Sequence, residues 1–118
     1  MLGWSITLWR GTPEERDRAT PEEREAATLA YWVVGLYGLD WLTELVKAGR
    51  AEELWRSGYP SRYTALAGDV LPLFTDAAPP GSGGSGTGRA PFDVRLHPDR
   101  IAACPADQTL TIDAWDQS

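Results

Sequence analysis

Apolar and polar residues alternate with a period of two at three places in the chain. In segment 4–10, WSITLWR, Trp4, Ile6 and Leu8 share one parity, and Ser5, Thr7 and Trp9 share the other. In 92–96, Phe92, Val94 and Leu96 stand against Asp93 and Arg95. In 109–115, Leu110, Ile112 and Ala114 stand against Thr109, Thr111, Asp113 and Trp115. Each pattern predicts a half-buried strand. Elsewhere the spacing of apolar residues becomes three and four. Ala26, Leu29 or Ala30, Val33 and Leu36 or Tyr37 predict a heavily buried helix over 21–37, with Gly38 as its C-terminal stop. Asp40 is placed to cap a second helix over 41–48, ended by Gly49. Ser61 is placed to cap a third from Arg62, broken by Gly68 and Pro72 into short pieces. Segment 51–57 suits a helical turn and an edge strand equally well.

The pentapeptide TPEER occurs twice, at 12–16 and 20–24. In each copy a threonine precedes a proline, and a glutamate follows three residues after the threonine. This is the spacing of a capping box with acids in the first helical turn, where the helix dipole favours them. Pro21 bars one continuous helix through both copies, so the first supports only a short turn. Segment 77–91, AAPPGSGGSGTGRAP, offers almost nothing to a core and reads as a flexible surface loop.

The resulting plan is α+β in one domain spanning 1–118. The N-terminal strand joins the two C-terminal strands in a small antiparallel sheet, and two to three helices pack on one face. The connection between the last two strands is about a dozen residues, which favours pairing them antiparallel to each other.

Composition narrows the class. The chain has 118 residues, 42% hydrophobic and 24% charged, which suits a globular domain rather than a disordered one. No apolar run approaches the ~18 residues that a membrane-spanning helix requires. The opening MLGWSITLWR has no basic leader ahead of an apolar stretch, and Cys104 has no second cysteine to pair with. Both point to a cytoplasmic protein. Eleven basic residues against seventeen acidic ones give a net charge of −6. Nucleic-acid binding needs a basic face that releases counterions, so nucleic acid and anionic membranes are expected not to be partners.

Catalytic motifs are sparse. Gly81, Gly83 and Gly86 fit G-x-G-x-x-G, but prolines precede the run and Arg89-Ala90-Pro91 follows it, so no strand-to-helix phosphate cradle forms. His97-Pro98-Asp99 resembles the tripeptide of J-domain co-chaperones. In that family it joins two long antiparallel helices, whereas here it follows a strand and reads as a turn. The single histidine and single cysteine lie seven residues apart and fall short of a zinc set. Cys104 amid Ile101-Ala102-Ala103 reads as a small buried hydrophobe. The acid pairs Glu14-Glu15, Glu22-Glu23 and Glu52-Glu53 are sequence neighbours, which diverge by about 100° on a helix and do not converge on a substrate. No catalytic residue, metal or cofactor is expected.

The aromatic content is the unusual feature: six Trp, four Tyr and two Phe. Trp9 and Trp115 have the parity opposite to the apolar residues of their strands, which predicts an exposed aromatic patch on the sheet's outer face. Tyr59 and Tyr63 flank a Gly-Pro turn together with Arg56 and Arg62. Trp, Tyr and Arg dominate binding hot spots. The candidate binding residues are therefore Trp9, Arg56, Tyr59, Arg62, Tyr63, Asp113, Trp115 and Asp116. Together with the acidity they point to a protein-binding module of the immunity, inhibitor or antitoxin kind, occluding a basic protein partner. The alternative is a small-ligand binder or enzyme, with an aromatic-lined pocket between sheet and helices formed from Tyr59, Arg62, Tyr63, Asp113, Trp115 and His97. The apolar segment 29–36 also permits a homodimer.

Overall fold

A computed structural model describes residues 4–34, 39–55, 61–74 and 94–116. The elements in chain order are β1 (Trp4–Arg10), α1 (Pro13–Arg18), α2 (Pro21–Ala27), β2 (Thr28–Val34), α3 (Asp40–Lys47), β3 (Ala51–Trp55), β4 (Ser61–Leu66), α4 (Ala67–Val70), a 3-10 turn (Leu71–Leu73), β5 (Val94–Leu96), α5 (Pro98–Ala102) and β6 (Thr109–Asp116). The strands form one six-stranded antiparallel sheet in the order β3-β4-β6-β1-β2-β5. The class is α+β. The expected pairing of the first strand with the last is present, with Trp4 opposite Asp116 and Leu8 opposite Ile112.

The sheet has six strands rather than three. The helix expected over 21–37 ends at Ala27, and Thr28–Val34 continues as a strand. Its sequence, TLAYWVV, combines β-branched and aromatic residues, and β2 lies between β1 and β5. A strand apolar on both parities shows no alternation and mimics a buried helix. A bulge at Leu8/Trp9 of the β1–β2 ladder adds one more buried apolar residue, Leu29, to the run. Segment 61–66, expected as helix, is β4, and only 67–73 is helical. In SRYTAL, Tyr63 and Ala65 share a face with the core while Arg62, Thr64 and Leu66 take the other parity, a period of two hidden by the tolerant residue types. The ambiguous 51–57 contains β3. The two C-terminal strands do not pair with each other, because β1 and β2 lie between them. The loop 77–91 and Phe92 lie outside the described residues.

The two TPEER helix starts follow the sequence closely, whereas Asp40 is the first residue of α3 and not its cap, a position held by Leu39 without a side-chain hydrogen bond. Thr12 Oγ1 accepts from the Glu15 amide at 3.2 Å, and Glu15 Oε1 accepts from the Thr12 amide at 2.9 Å. Thr20 and Glu23 repeat the exchange at 3.2 and 2.8 Å. Helix α3 stops at Gly49, whose φ of +77° favours glycine.

One face of the sheet is the apolar core. Ile6, Leu8, Ala30, Trp32, Val34, Tyr63, Ala65, Leu110, Ile112 and Ala114 share it and are buried, and Leu42 and Leu45 of α3 join them. Trp32 is its centre, with Trp41 stacked at 6.2 Å and Phe74 edge-on at 5.5 Å between ring centroids. Much of the aromatic surplus is thus ordinary core filling.

Candidate functional site

The other face carries polar chemistry. Direct cross-strand register aligns one residue from each of the six strands: Arg95, Tyr31, Thr7, Asp113, Arg62 and Trp55, from β5 to β3. Thr28, Trp9, Thr111 and Thr64 form the next row. From Arg95 to Arg62, residues in such a row lie beside their neighbours across the strands.

At the middle of the row, Asp113 is buried between two arginines. Arg62 donates through Nε to Oδ1 at 2.8 Å and through Nη2 to Oδ2 at 3.3 Å, a forked pair. Arg16, from α1, brings its Nε to within 2.8 Å of Oδ2. Arg62 also donates Nη1 to Asp17, at 3.2 and 3.3 Å. The hydrogen bonding of Arg62 to Asp113 is the main reason that its guanidinium is pushed above its already high pKa, against the opposing effect of burial. Arg16 continues over the Trp9 ring, with its guanidinium carbon 5.8 Å from the centroid. Trp9 donates its indole N–H to the Arg24 carbonyl at 3.0 Å. The set clasps α1 and α2 onto the polar face.

This arrangement corrects the expected aromatic patch. Trp9 is 5% exposed and Trp115 is 40% exposed, so the two rings do not make one surface. Parity predicted the right face for Trp9, but helices cover that face locally. Gly11 makes the fit possible: its φ is +133°, and a Cβ there would drive into the Trp9 ring. Of the remaining candidates, Arg62 and Asp113 come together and Trp115 lies on their face, one pair further along β6. Tyr63 lies on the opposite face, in the core. Asp116 closes β6 opposite Trp4. Arg56 and Tyr59 lie outside the described residues. Sequence reasoning missed Arg16 and Asp17. The available signal was Asp113 itself, an ionisable residue in mid-strand whose neighbours from Thr109 to Trp115 are apolar or neutral, which requires a partner from elsewhere.

Beside the clasp, the face opens into a hollow of about 310 Å³ lined by Thr7, Glu25, Thr28, Tyr31, Arg95 and His97. The Arg95 guanidinium lies 6.0 Å from the Tyr31 ring centre. Arg100 ties its rim by donating to the carbonyls of Glu25 and Thr28 at 2.8 and 2.9 Å. His97 donates its backbone amide to Leu29 O and opens α5; Cys104 follows that helix and packs against the core. Burial pushes the Cys104 thiol up, which keeps it protonated and weakly nucleophilic. Among the described residues, no group of three His, Cys, Asp or Glu is arranged to hold a metal ion, and no helix is long and apolar enough to cross a membrane.

No protein-family model, curated protein or solved structure matches the chain.

Proposed function

We propose that the chain is a protein-binding module that recognises and occludes a basic partner, in the manner of an inhibitor, immunity protein or antitoxin. The supporting observation is how charge divides between inside and outside. Arg16 and Arg62 are drawn onto Asp113, which removes two cations from the surface at the expense of one carboxylate. Among the described residues, eleven exposed acids then face solvent against six exposed bases. A surface of that sign accelerates encounter with a cationic protein and resists nucleic acid. The strongest ionic cluster is occupied in holding the fold, which leaves surface recognition as the chemistry the molecule offers outward.

Affinity capture on the immobilised protein tests this reading. The expected result is a basic protein retained at low salt and released as ionic strength rises. Repeated recovery of nothing, or of an acidic protein held independently of salt, overturns it.

The hollow around Tyr31 supports the second reading, a small-ligand site. A thermal-shift screen against sugars, nucleotides and metabolites reads it directly, because a ligand at a hundred times its Kd stabilises by about 2.7 kcal/mol. Stabilisation that Tyr31→Ala abolishes favours this reading over the first.

A further inference from the structure

We infer that the β3 edge is the docking site, and that its occupant is an extended segment of the partner in which Lys or Arg alternates with apolar residues, added to the sheet as a seventh strand. The inference rests on the basic-partner reading above.

Among the described residues, the sheet ends at β3 on one side and β5 on the other. There β5 spans Val94–Leu96, and Pro98, two residues on, has no amide to donate. Strand β3 is five residues long, enough to template a partner strand. Beside it the polar face falls away into a hollow of about 350 Å³, lined by Arg50, Glu52, Thr64, Leu66 and Asp69 among others. Leu66 is 45% exposed there, and Leu54, at the bulge in β3, is 38% exposed. The hollow therefore offers two carboxylates around an uncovered leucine, with Arg50 as the single countercharge among its lining residues. Side chains of a strand alternate between faces, so every second residue of an added strand would look into this hollow. Cations at those positions meet Glu52 and Asp69, with their alkyl stems over Leu66. A second copy of this chain is disfavoured in the same place, because antiparallel pairing of two β3 edges brings Glu52 and Glu53 of both copies together.

Fluorescence anisotropy with a blocked, labelled octapeptide alternating Lys and Val tests the site on the full chain. Its comparators are the same peptide N-methylated along one edge and a Glu-Val analogue. The expected result is saturable binding of the Lys-Val peptide alone. Glu52→Lys with Asp69→Lys weakens it at least tenfold, and the milder Glu52→Gln with Asp69→Asn weakens it in the same direction, each variant melting near the parent temperature. Glu22→Lys with Asp99→Lys, an equal change in net charge placed elsewhere, leaves it within about twofold. Equal binding of the N-methylated peptide overturns strand addition. Binding lost with Glu22 and Asp99 but indifferent to Glu52 and Asp69 overturns the location while the basic-partner reading stands. Absence of binding by the Lys-Val peptide overturns the docking site, while the basic-partner reading is then decided by the affinity capture. Dimerisation through β3, seen as a doubled mass by sedimentation that Glu52→Lys alters, overturns the choice of occupant.

Discussion

The two faces of the sheet are held by different physics. On one, Trp32, Ile6, Leu8 and Ile112 are buried in one apolar cluster with Leu42 and Leu45 of α3. On the other, α1 and α2 are held by a few directed contacts: Arg16 and Arg62 on Asp113, Trp9 on the Arg24 carbonyl, and Gly11 making room for the ring. The apolar face tolerates substitution that keeps volume, whereas the polar face depends on every partner being present. Its directed contacts fix where α1 lies, and they leave the rest of the face open.

Truncating the centre of the apolar face should cost most. Trp32→Ala is expected to destabilise by about 3–5 kcal/mol, read by denaturant unfolding. Asp113→Ala should approach the same value, about 3–5 kcal/mol, by leaving two arginines facing each other without their carboxylate. The contrast appears in the rescue. Replacing Arg16, Asp113 and Arg62 together by apolar residues of similar volume should recover most of that loss, whereas no polar substitution recovers Trp32→Ala. A triple variant as unstable as Asp113→Ala would mean that the clasp contributes more than the relief of its own buried charge. Gly11→Ala should cost about 1–3 kcal/mol through overpacking against Trp9, and Trp9→Phe in the same chain should return part of it. Asp17→Asn should change stability by about 0–1 kcal/mol, since Asp17 is 61% exposed and its ion pair is screened.

The smallest effect is the pH response of the two capping boxes. Hydrogen bonds from the Thr12 and Thr20 amides hold the Glu15 and Glu23 carboxyls below the ordinary value of 4.5. A lowered folded pKa means stability that is present above 4.5 and lost as pH falls through the lower folded value. Melting temperature followed from pH 6 to 3 should fall less steeply in the Glu15→Gln, Glu23→Gln double variant than in the parent. An unchanged slope would show that the boxes do not bind α1 and α2 to the rest of the fold.

The elements that sequence reveals best are those whose determinants are local. Both TPEER caps follow from five residues each, and β1 and β6 follow from strict alternation. Strands β2 and β4 do not show themselves, because their burial is decided by strands that lie far away in sequence. Thr28–Val34 is apolar on both parities since β1, β5 and the core enclose it. The site follows the same division. Arg62 and Asp113 carry a visible signal, as charges on strands. Their convergence with Arg16 requires the β4–β6 register and the docking of α1, neither of which five or ten residues of sequence encode. Trp9 shows the limit of parity: it gives the face, while what covers the face is a tertiary fact.

Strand β6 is last among the described strands in the sequence and third in the sheet. Without it, no ladder joins the β3–β4 pair to the β1, β2 and β5 set. The two parts become one sheet only when this ribbon, paired with β4 on one side and β1 on the other, is in place. Because Asp113 rides on it, the same insertion delivers the anion that Arg16 and Arg62 require, so completion of the sheet and seating of the helical cover become one cooperative event.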